Sequence, residues 1–325
     1  MAEMRMRDAL REALREEMLR DDKVFLLGED IGLYGGSYAV TKGLLDEFGP
    51  DRVRDTPIAE SGIVGAGIGA AMAGLRPMVE LMTINFSFLA LDQIVNSAAK
   101  LYYMSNGQIN VPMVIRMASG GGSQLAATHS HSLEGLYAHF PGLKVVCPSN
   151  PADAKGLLKR AFRDDNTVVF IEHTALYGMR GEVPEDPEFM VEFGKANVMR
   201  EGGDVTIVGY SGSVWQASRA AEMLKEQEGI SAEVIDLRTL RPLDIDTVVA
   251  SVKKTNRCVV VEDAWKFGGF AAELSAQIME RAFDWLDAPV ARVCGKDVPA
   301  PYNRNLEFAA LPSEEDVVDA VLAML

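Results

Sequence analysis

Cysteine is scarce in this 325-residue chain, and the three present, Cys147, Cys258 and Cys294, are odd in number and far apart. They build neither a disulfide framework nor a metal-ligand spacing, which points to a reducing cytoplasm. Histidine is nearly as rare, with four residues, and none follows His173. A Ser-Asp-His order therefore cannot be completed behind Gly209-Tyr210-Ser211-Gly212-Ser213, where the last position is also Ser rather than Gly. That segment reads as a strand–helix turn. No apolar run reaches the ~18–20 residues of a membrane span. The first residues alternate Arg and Glu without an apolar stretch, so no secretory signal is expected there. Basic residues are outnumbered, 32 Lys and Arg against 47 Asp and Glu, for a formal net charge of -15. Nucleic-acid binding runs on Lys and Arg neutralising phosphates, so this balance argues against it and suits a basic protein partner.

What is present is a large apolar fraction, 48%, with 24% charged residues, enough for a substantial core. The length suggests two domains at roughly 150 residues each. Met6, Ala9, Leu10, Ala13, Leu14 and Met18 share one face of a helix over 5–20. Apolar strands at 24–27, 77–83, 111–117, 143–147 and 168–172 alternate with helices, one of them a long helix over about 87–105. Asn150 followed by Pro151 opens another. Residues 178–193 have no apolar period and read as a linker. Beyond it, strands at 205–210, 232–235, 259–261 and 290–293 alternate with helices near 214–227, 245–254, 270–282 and 313–324. The expected fold class is α/β: two domains, 1–190 and 195–325, each a mostly parallel sheet flanked by helices.

The chemistry concentrates at Asp55-Thr56-Pro57-Ile58-Ala59-Glu60, which runs into the small-residue helix Ser61–Gly74. Glu60 stands at the mouth of that helix, where a dry setting would favour the protonated form of a carboxyl group and suit acid–base work. A helix-starting carboxylate is the plainer reading. Gly65-Ala66-Gly67-Ile68-Gly69 lacks the preceding apolar strand of a dinucleotide site, so its glycines read as close-packing positions. Phe86 follows a strand end, where an aromatic ring could stack on a planar cofactor or simply pack in the core. His129, His131 and His139 lie in or near a glycine-rich loop. A proton shuttle needs one of them, whereas a zinc site would need a third ligand beyond the H-x-H pair.

Several motifs occur together in one order: Leu27-Gly28-Glu29-Asp30, Asp55–Glu60, Ala70–Pro77, Asp92-Gln93-Ile94-Val95-Asn96, His129-Ser130, Pro141–Val146, Asp153–Leu158, Arg238-Thr239-Leu240-Arg241-Pro242 and Leu286-Asp287-Ala288-Pro289. In these the chain resembles, over essentially its whole length, the β subunit of the thiamine-diphosphate-dependent decarboxylating component of 2-oxo acid dehydrogenase complexes. The resemblance implies a pyrimidine-binding domain followed by a transketolase C-terminal-like domain, and an α2β2 heterotetramer. In that family the α subunit holds the diphosphate and Mg²⁺ through a Gly-Asp-Gly…Asn motif, and this chain has no Gly-Asp-Gly.

By the same resemblance, Glu60 hydrogen-bonds the aminopyrimidine ring and shares a proton with it. Ile58, Met82 and Phe86 contribute to binding that ring. His129 handles protons as the acyl group passes to the lipoyl disulfide of the acyltransferase core. His131 stands where the family usually has Gln. Backbone oxygens around Ala161, Phe162, Asp164 and Asn166 correspond to a potassium site in some relatives, or to a helix end satisfied by water. The acyltransferase docks through its peripheral-subunit-binding domain, with which the acidic C-terminus is compatible. Met82–Ser87 and Leu101–Ser105 look more like the pyruvate and acetoin enzymes than the branched-chain type, and pyruvate is the expected substrate. A non-catalytic assembly module and a metal hydrolase using the three histidines are the readings from other classes.

Overall fold

The computed structural model describes Met1–Leu325 and divides into two compact units. The first comprises Met1–Ser119 and Tyr137–Phe193; the second comprises Gly120–Leu136 and Gly194–Leu325. The second stretch of chain is thus preceded by a loop, Gly120–Leu136, that sequence order alone would give to the first domain.

The first unit begins with β1 (Ala2–Arg5) and α1 (Met6–Arg20), whose predicted apolar face is buried. There follow β2 (Val24–Gly28), α2 (Leu44–Phe48), β3 (Val53–Asp55), α3 (Glu60–Met72) and β4 (Arg76–Leu81). Then come α4 (Leu101–Met104), β5 (Val114–Ser119), α5 (Glu134–His139), where the chain re-enters this unit, β6 (Lys144–Val146), α6 (Pro151–Phe162), β7 (Val168–His173) and β8 (Arg180–Val183). Strands β6, β7, β5, β4, β2 and β3 lie side by side in that order, all parallel. The central strands β4, β5 and β7 are almost wholly buried, as expected of a parallel sheet covered on both faces. Asn150 caps α6 as its residue type implies, accepting from the Asp153 N–H at 2.9 Å. Between α1 and α6, the fully buried Lys155 ammonium reaches Glu12 and Glu16 at 2.9 and 2.8 Å, so its burial is compensated.

Two expectations are corrected in this unit. The span 87–105 is not one helix: a 3₁₀ turn (Ile84–Ala90), a π turn (Gln93–Ala98) and α4 succeed one another. The first piece is tightened by Ser87, whose hydroxyl donates to the Ile84 carbonyl and accepts from Tyr137. Such local side-chain bonds compete with an α-helical ladder. The span 178–193 is not featureless either, since β8 pairs antiparallel with β1.

The second unit carries β9 (Asn197–Arg200), β10 (Val205–Gly209), α7 (Ser213–Gln227), β11 (Ala232–Asp236), β12 (Thr239–Arg241) and α8 (Ile245–Thr255). These are followed by β13 (Cys258–Trp265), α9 (Phe270–Ala282), β14 (Ala291–Gly295), α10 (Arg304–Ala310) and α11 (Glu314–Leu322). Its sheet runs β14-β13-β10-β11-β9, parallel except for the edge strand β9. Val205, Ile207, Val259 and Val261 pack against Ala217, Leu224, Val317 and Val321 to form the core. Ser313 and Asp316 make a reciprocal capping box at α11.

Gly142 shows how tightly the first unit is packed. Its φ is +97°, and a Cβ there would stand 1.9 Å from the Ala99 carbonyl oxygen. Replacing Gly142 by Ala should therefore cost about 2–4 kcal/mol, from left-handed strain and a backbone clash. A lowered urea midpoint with an unchanged slope checks this; a wild-type midpoint would contradict it.

Candidate active site

Glu60 is the first residue of α3 and is only 4% exposed. It is set there by the link from β3. The Asp55 carboxylate accepts from the N–H groups of Gly32 (2.6 Å) and Leu33 (3.2 Å), and the Thr56 N–H donates to the Gly28 carbonyl at 3.0 Å. The helix lies on the sheet through Ile63, Val64, Gly67 and Ile68. Gly67 is the point of closest approach: a Cβ would come within 2.6 Å of Val79 and 2.7 Å of Met113. Of the glycines read as close-packing positions, this one meets the description, while Gly69 faces open space.

A second carboxyl group accompanies Glu60, and sequence reasoning assigned it no role. Glu29, directly after β2, is 6% exposed. Burial, and then the charges of Glu60 and Asp30, push its carboxyl above the usual range. Its Oε1 and the Thr56 hydroxyl oxygen are both buried without a hydrogen-bond partner. The signal available in the sequence was Glu29's position at the carboxyl end of a buried strand, where ligands bind in open α/β sheets. Because β3 and β4 flank β2 on opposite sides, the chain order reverses beside β2.

Met82 and Phe86 follow β4 and are both half-buried. Around them Thr83 and Asn85 are buried and joined by a 3.2 Å bond, Thr83 Oγ1 donating to Asn85 Oδ1. Ile58 is 80% exposed, so within this chain its side chain is mostly open to solvent. Strands β4, β5 and β7 themselves carry an ion network that the sequence did not reveal. Arg116 bridges Glu80 and Glu172, and Tyr177 donates to Glu172 Oε2 at 2.7 Å. Burial works against the Arg116 charge, yet Glu172 and Glu80 hold its pKa above the ordinary value.

The helix end expected to bind potassium is served by a side-chain cation. Arg76 Nη1 donates to the carbonyls of Phe162 (3.0 Å) and Asp164 (2.9 Å), and Nη2 to Asp165 Oδ1 at 2.6 Å. Ala161's carbonyl accepts from Asp164 N–H, and Asn166 N–H donates to Asp164 Oδ1. Free carbonyls at this helix end motivated the metal reading, and here a guanidinium takes that role. Two of the carbonyls named for potassium, those of Phe162 and Asp164, thus already have Arg76 as a cationic partner.

In the second unit His129 lies exposed on the loop Gly120–Leu136. Its Nδ1 is 2.9 Å from the Thr128 hydroxyl, and its N–H donates to Ala126 at 3.2 Å. His131 is inserted edge-on toward Trp265, with ring centroids 5.3 Å apart, and burial lowers its pKa. His139 instead stands on α5 against Phe140. No three His, Cys, Asp or Glu side chains are arranged to hold a metal ion, which removes the support for the zinc reading. Ser213, in the elbow-like turn, donates to the carbonyls of Tyr210 and Val261, as a structural turn residue does.

Known proteins carry the same organisation. The model of the transketolase pyrimidine-binding domain matches residues 2–180, and that of the transketolase C-terminal domain matches 194–317. A pyruvate dehydrogenase E1 component subunit beta of Rickettsia bellii is 55% identical over 315 residues, 97% of this chain and 96% of the relative. The chain belongs to the family of pyruvate dehydrogenase E1 component β subunits. A mitochondrial subunit beta-1 of Arabidopsis thaliana is 54% identical, covering 98% of this chain and 88% of its own length. Among solved structures, a split-gene transketolase in an inactive β4 tetramer matches with a TM-score of 0.78 and 28% identity, over 98% of this chain and 97% of that one. The family is thiamine-dependent and transketolase-like. The cofactor fits the residues of the first unit, since unpartnered oxygens on Glu29 and Thr56 stand ready for a polar ring edge, and the half-buried Met82 and Phe86 offer apolar surface.

Glu262, on β13, generates a pH prediction. Burial, with Glu134 adding to it, raises its carboxyl from 4.5 to about 7, against bonds from Ala271 N–H, Tyr210 and Cys294. A raised acid contributes stability that is complete below 4.5 and lost as pH rises through about 7. Urea unfolding should thus show stability falling across that window, and Glu262→Gln should flatten this part of the profile. An identical profile in the variant would contradict the assignment.

Proposed function

We propose that this chain is the β half of an α2β2 decarboxylating component that acts on pyruvate and passes the acyl group to the lipoyl group of an acyltransferase core. The observation that carries the reading is Glu60, dry at the start of α3, with Glu29 beside it. When bound, thiamine diphosphate supplies the electron sink that lets CO₂ leave. The chain's own part is to hold and orient. Glu60 presents a carboxyl group to the pyrimidine ring and exchanges a proton with it, a role worth typically ~10²–10⁴ in rate. Glu29, whose raised pKa keeps its proton more readily, limits the negative charge beside Glu60. Met82 and Phe86 shield the ring from water, and Ile58 joins them once a partner covers its exposed side chain. His129 handles protons in acyl transfer.

Diphosphate and Mg²⁺ belong to the α subunit in this reading, since no Gly-Asp-Gly occurs here. Exposed apolar residues such as Tyr103 (86%) and Ile58 support a covering partner. Acidic side chains in the first turn of α11, Glu314, Glu315 and Asp316, suit the basic peripheral-subunit-binding domain of the acyltransferase. The relatives named for pyruvate favour that substrate over acetoin or branched-chain 2-oxo acids. No helix is long and apolar enough to cross a membrane, and all three cysteines are free, which supports a cytoplasmic site of action. Of the two proposed domains, 1–190 and 195–325, the first binds the ring; the loop bearing His129, although within 1–190 by sequence, packs with the second unit.

Purification from native cells should bring down a near-stoichiometric companion carrying the Gly-Asp-Gly…Asn motif. Within that complex, Glu60→Ala should lower thiamine-diphosphate-dependent pyruvate decarboxylation by at least ~100-fold while the subunits stay assembled by gel filtration. Full activity in the variant would end the reading and leave a non-catalytic assembly module.

A further inference from the structure

The loop that bears His129 is poorly held by burial. From Gly122 to His129 every residue is half-buried or exposed, and its one large apolar side chain, Leu125, is 42% exposed. Its backbone is also strained. Gln124 and Ala126 have φ of +56° and +66°, a conformation that costs non-glycine residues about 1–2 kcal/mol each. A loop with these properties would sample many shapes unless something outside it selects one.

Two devices do so. At the base, the Gly120 N–H donates to the His131 carbonyl at 3.0 Å and closes the loop. At the crown, one carboxylate takes two backbone donors: Glu307 Oε1 accepts from Gly122 N–H and Oε2 from Gln124 N–H, each at 2.9 Å. Glu307 is on α10 and is 1% exposed. Asn303, which caps α10 by accepting from the N–H groups of Asn305 and Leu306, holds this helix in place. Leu311, just beyond it, packs 3.4 Å from where a Gly121 Cβ would be. Bonds from N–H groups to a carboxylate are about twice as strong as neutral ones. Losing this acceptor would leave two part-buried amides without their carboxylate partner.

We infer that Glu307 is a positioning residue for acyl transfer: by clamping Gly122 and Gln124 it selects the loop conformation in which His129 can serve the lipoyl group. The inference rests on the acyl-transfer role proposed for His129. In that step a carbon–sulfur bond would form at one lipoyl sulfur as the disulfide breaks, the acyl carbon's hydroxyl would lose its proton, and the bond from that carbon to its carrier would break. The two electrons come from the carbon–carbon bond lost on decarboxylation, and the departing sulfur takes one proton. His129 delivers that proton only if its loop holds still, so Glu307 bears on this half of the reaction and not on CO₂ release.

The test uses the complex purified with its native partners, comparing wild type, Glu307→Gln, Glu307→Ala and His129→Gln. Pyruvate oxidation by ferricyanide reports the half that needs no lipoyl group; acetylation of a free lipoyl domain reports the other. For Glu307→Gln the ratio of lipoyl to ferricyanide turnover should fall about tenfold, and amide exchange over 120–131 should quicken by a similar factor while β13 stays protected. Should Glu307→Ala fail to fold, the isosteric Gln variant decides. Equal losses in both half-reactions, or unchanged exchange over 120–131, would overturn the inference. If His129→Gln transfers acetyl normally, the role of His129 is what fails, and exchange in the Glu307 variants still judges the clamp by itself.

Discussion

Everything in the first unit depends on how closely α3 can lie against its sheet. Gly67 has no side chain, so the helix settles onto Val79 and Met113 at a distance that any Cβ would prevent. That approach takes the helix start, and Glu60 with it, out of water. Glu29 enters the same dry region from β2, where burial and the neighbouring Glu60 push its carboxyl above the usual range. Gly67 lies two turns along the same buried face as Glu60, so the packing there bears on the burial of the carboxyl group at the helix mouth.

Charge is handled differently further along the same sheet, on β4, β5 and β7. Arg116 compensates Glu80 and Glu172, and Tyr177 completes the bonding of Glu172. Removing one partner from such a group typically costs about 3–5 kcal/mol, although the intact network need add little net stability. The contrast with Glu29 and Glu60 is informative. Glu80 and Glu172 have a guanidinium opposite them, whereas Glu29 keeps an unpartnered oxygen. Arg76 shows the same economy at the end of α6, where its guanidinium serves two carbonyls and the Asp165 carboxylate together.

The second unit contributes a scaffold for a loop that comes from far away in sequence. Its carboxylate on α10 and the indole of Trp265 engage residues 120–131, so a segment with little apolar content acquires one shape. The elements around that arrangement, the parallel strands and the helices between them, follow from alternating apolar runs and could be read directly. α10 could not. Its seven residues, Arg304–Ala310, carry too little periodic signal, and Leu306 and Phe308 point their apolar bulk outward, 60% and 51% exposed.

By itself the sequence determined the α/β class, most strand and helix positions, the family, and the identity of Glu60 and His129 as the residues to examine. Periodicity and motif order are local properties, and local properties survive in one dimension. Only the tertiary structure decided which unit owns the histidine loop, that Glu29 joins Glu60, that Arg76 stands at the end of α6, and that the span 84–104 breaks into three helical pieces. Each of these turns on residues tens to nearly two hundred positions apart meeting in space. Their partnership is set by packing distance and by the cost of leaving a buried polar group alone, neither of which any stretch of sequence records.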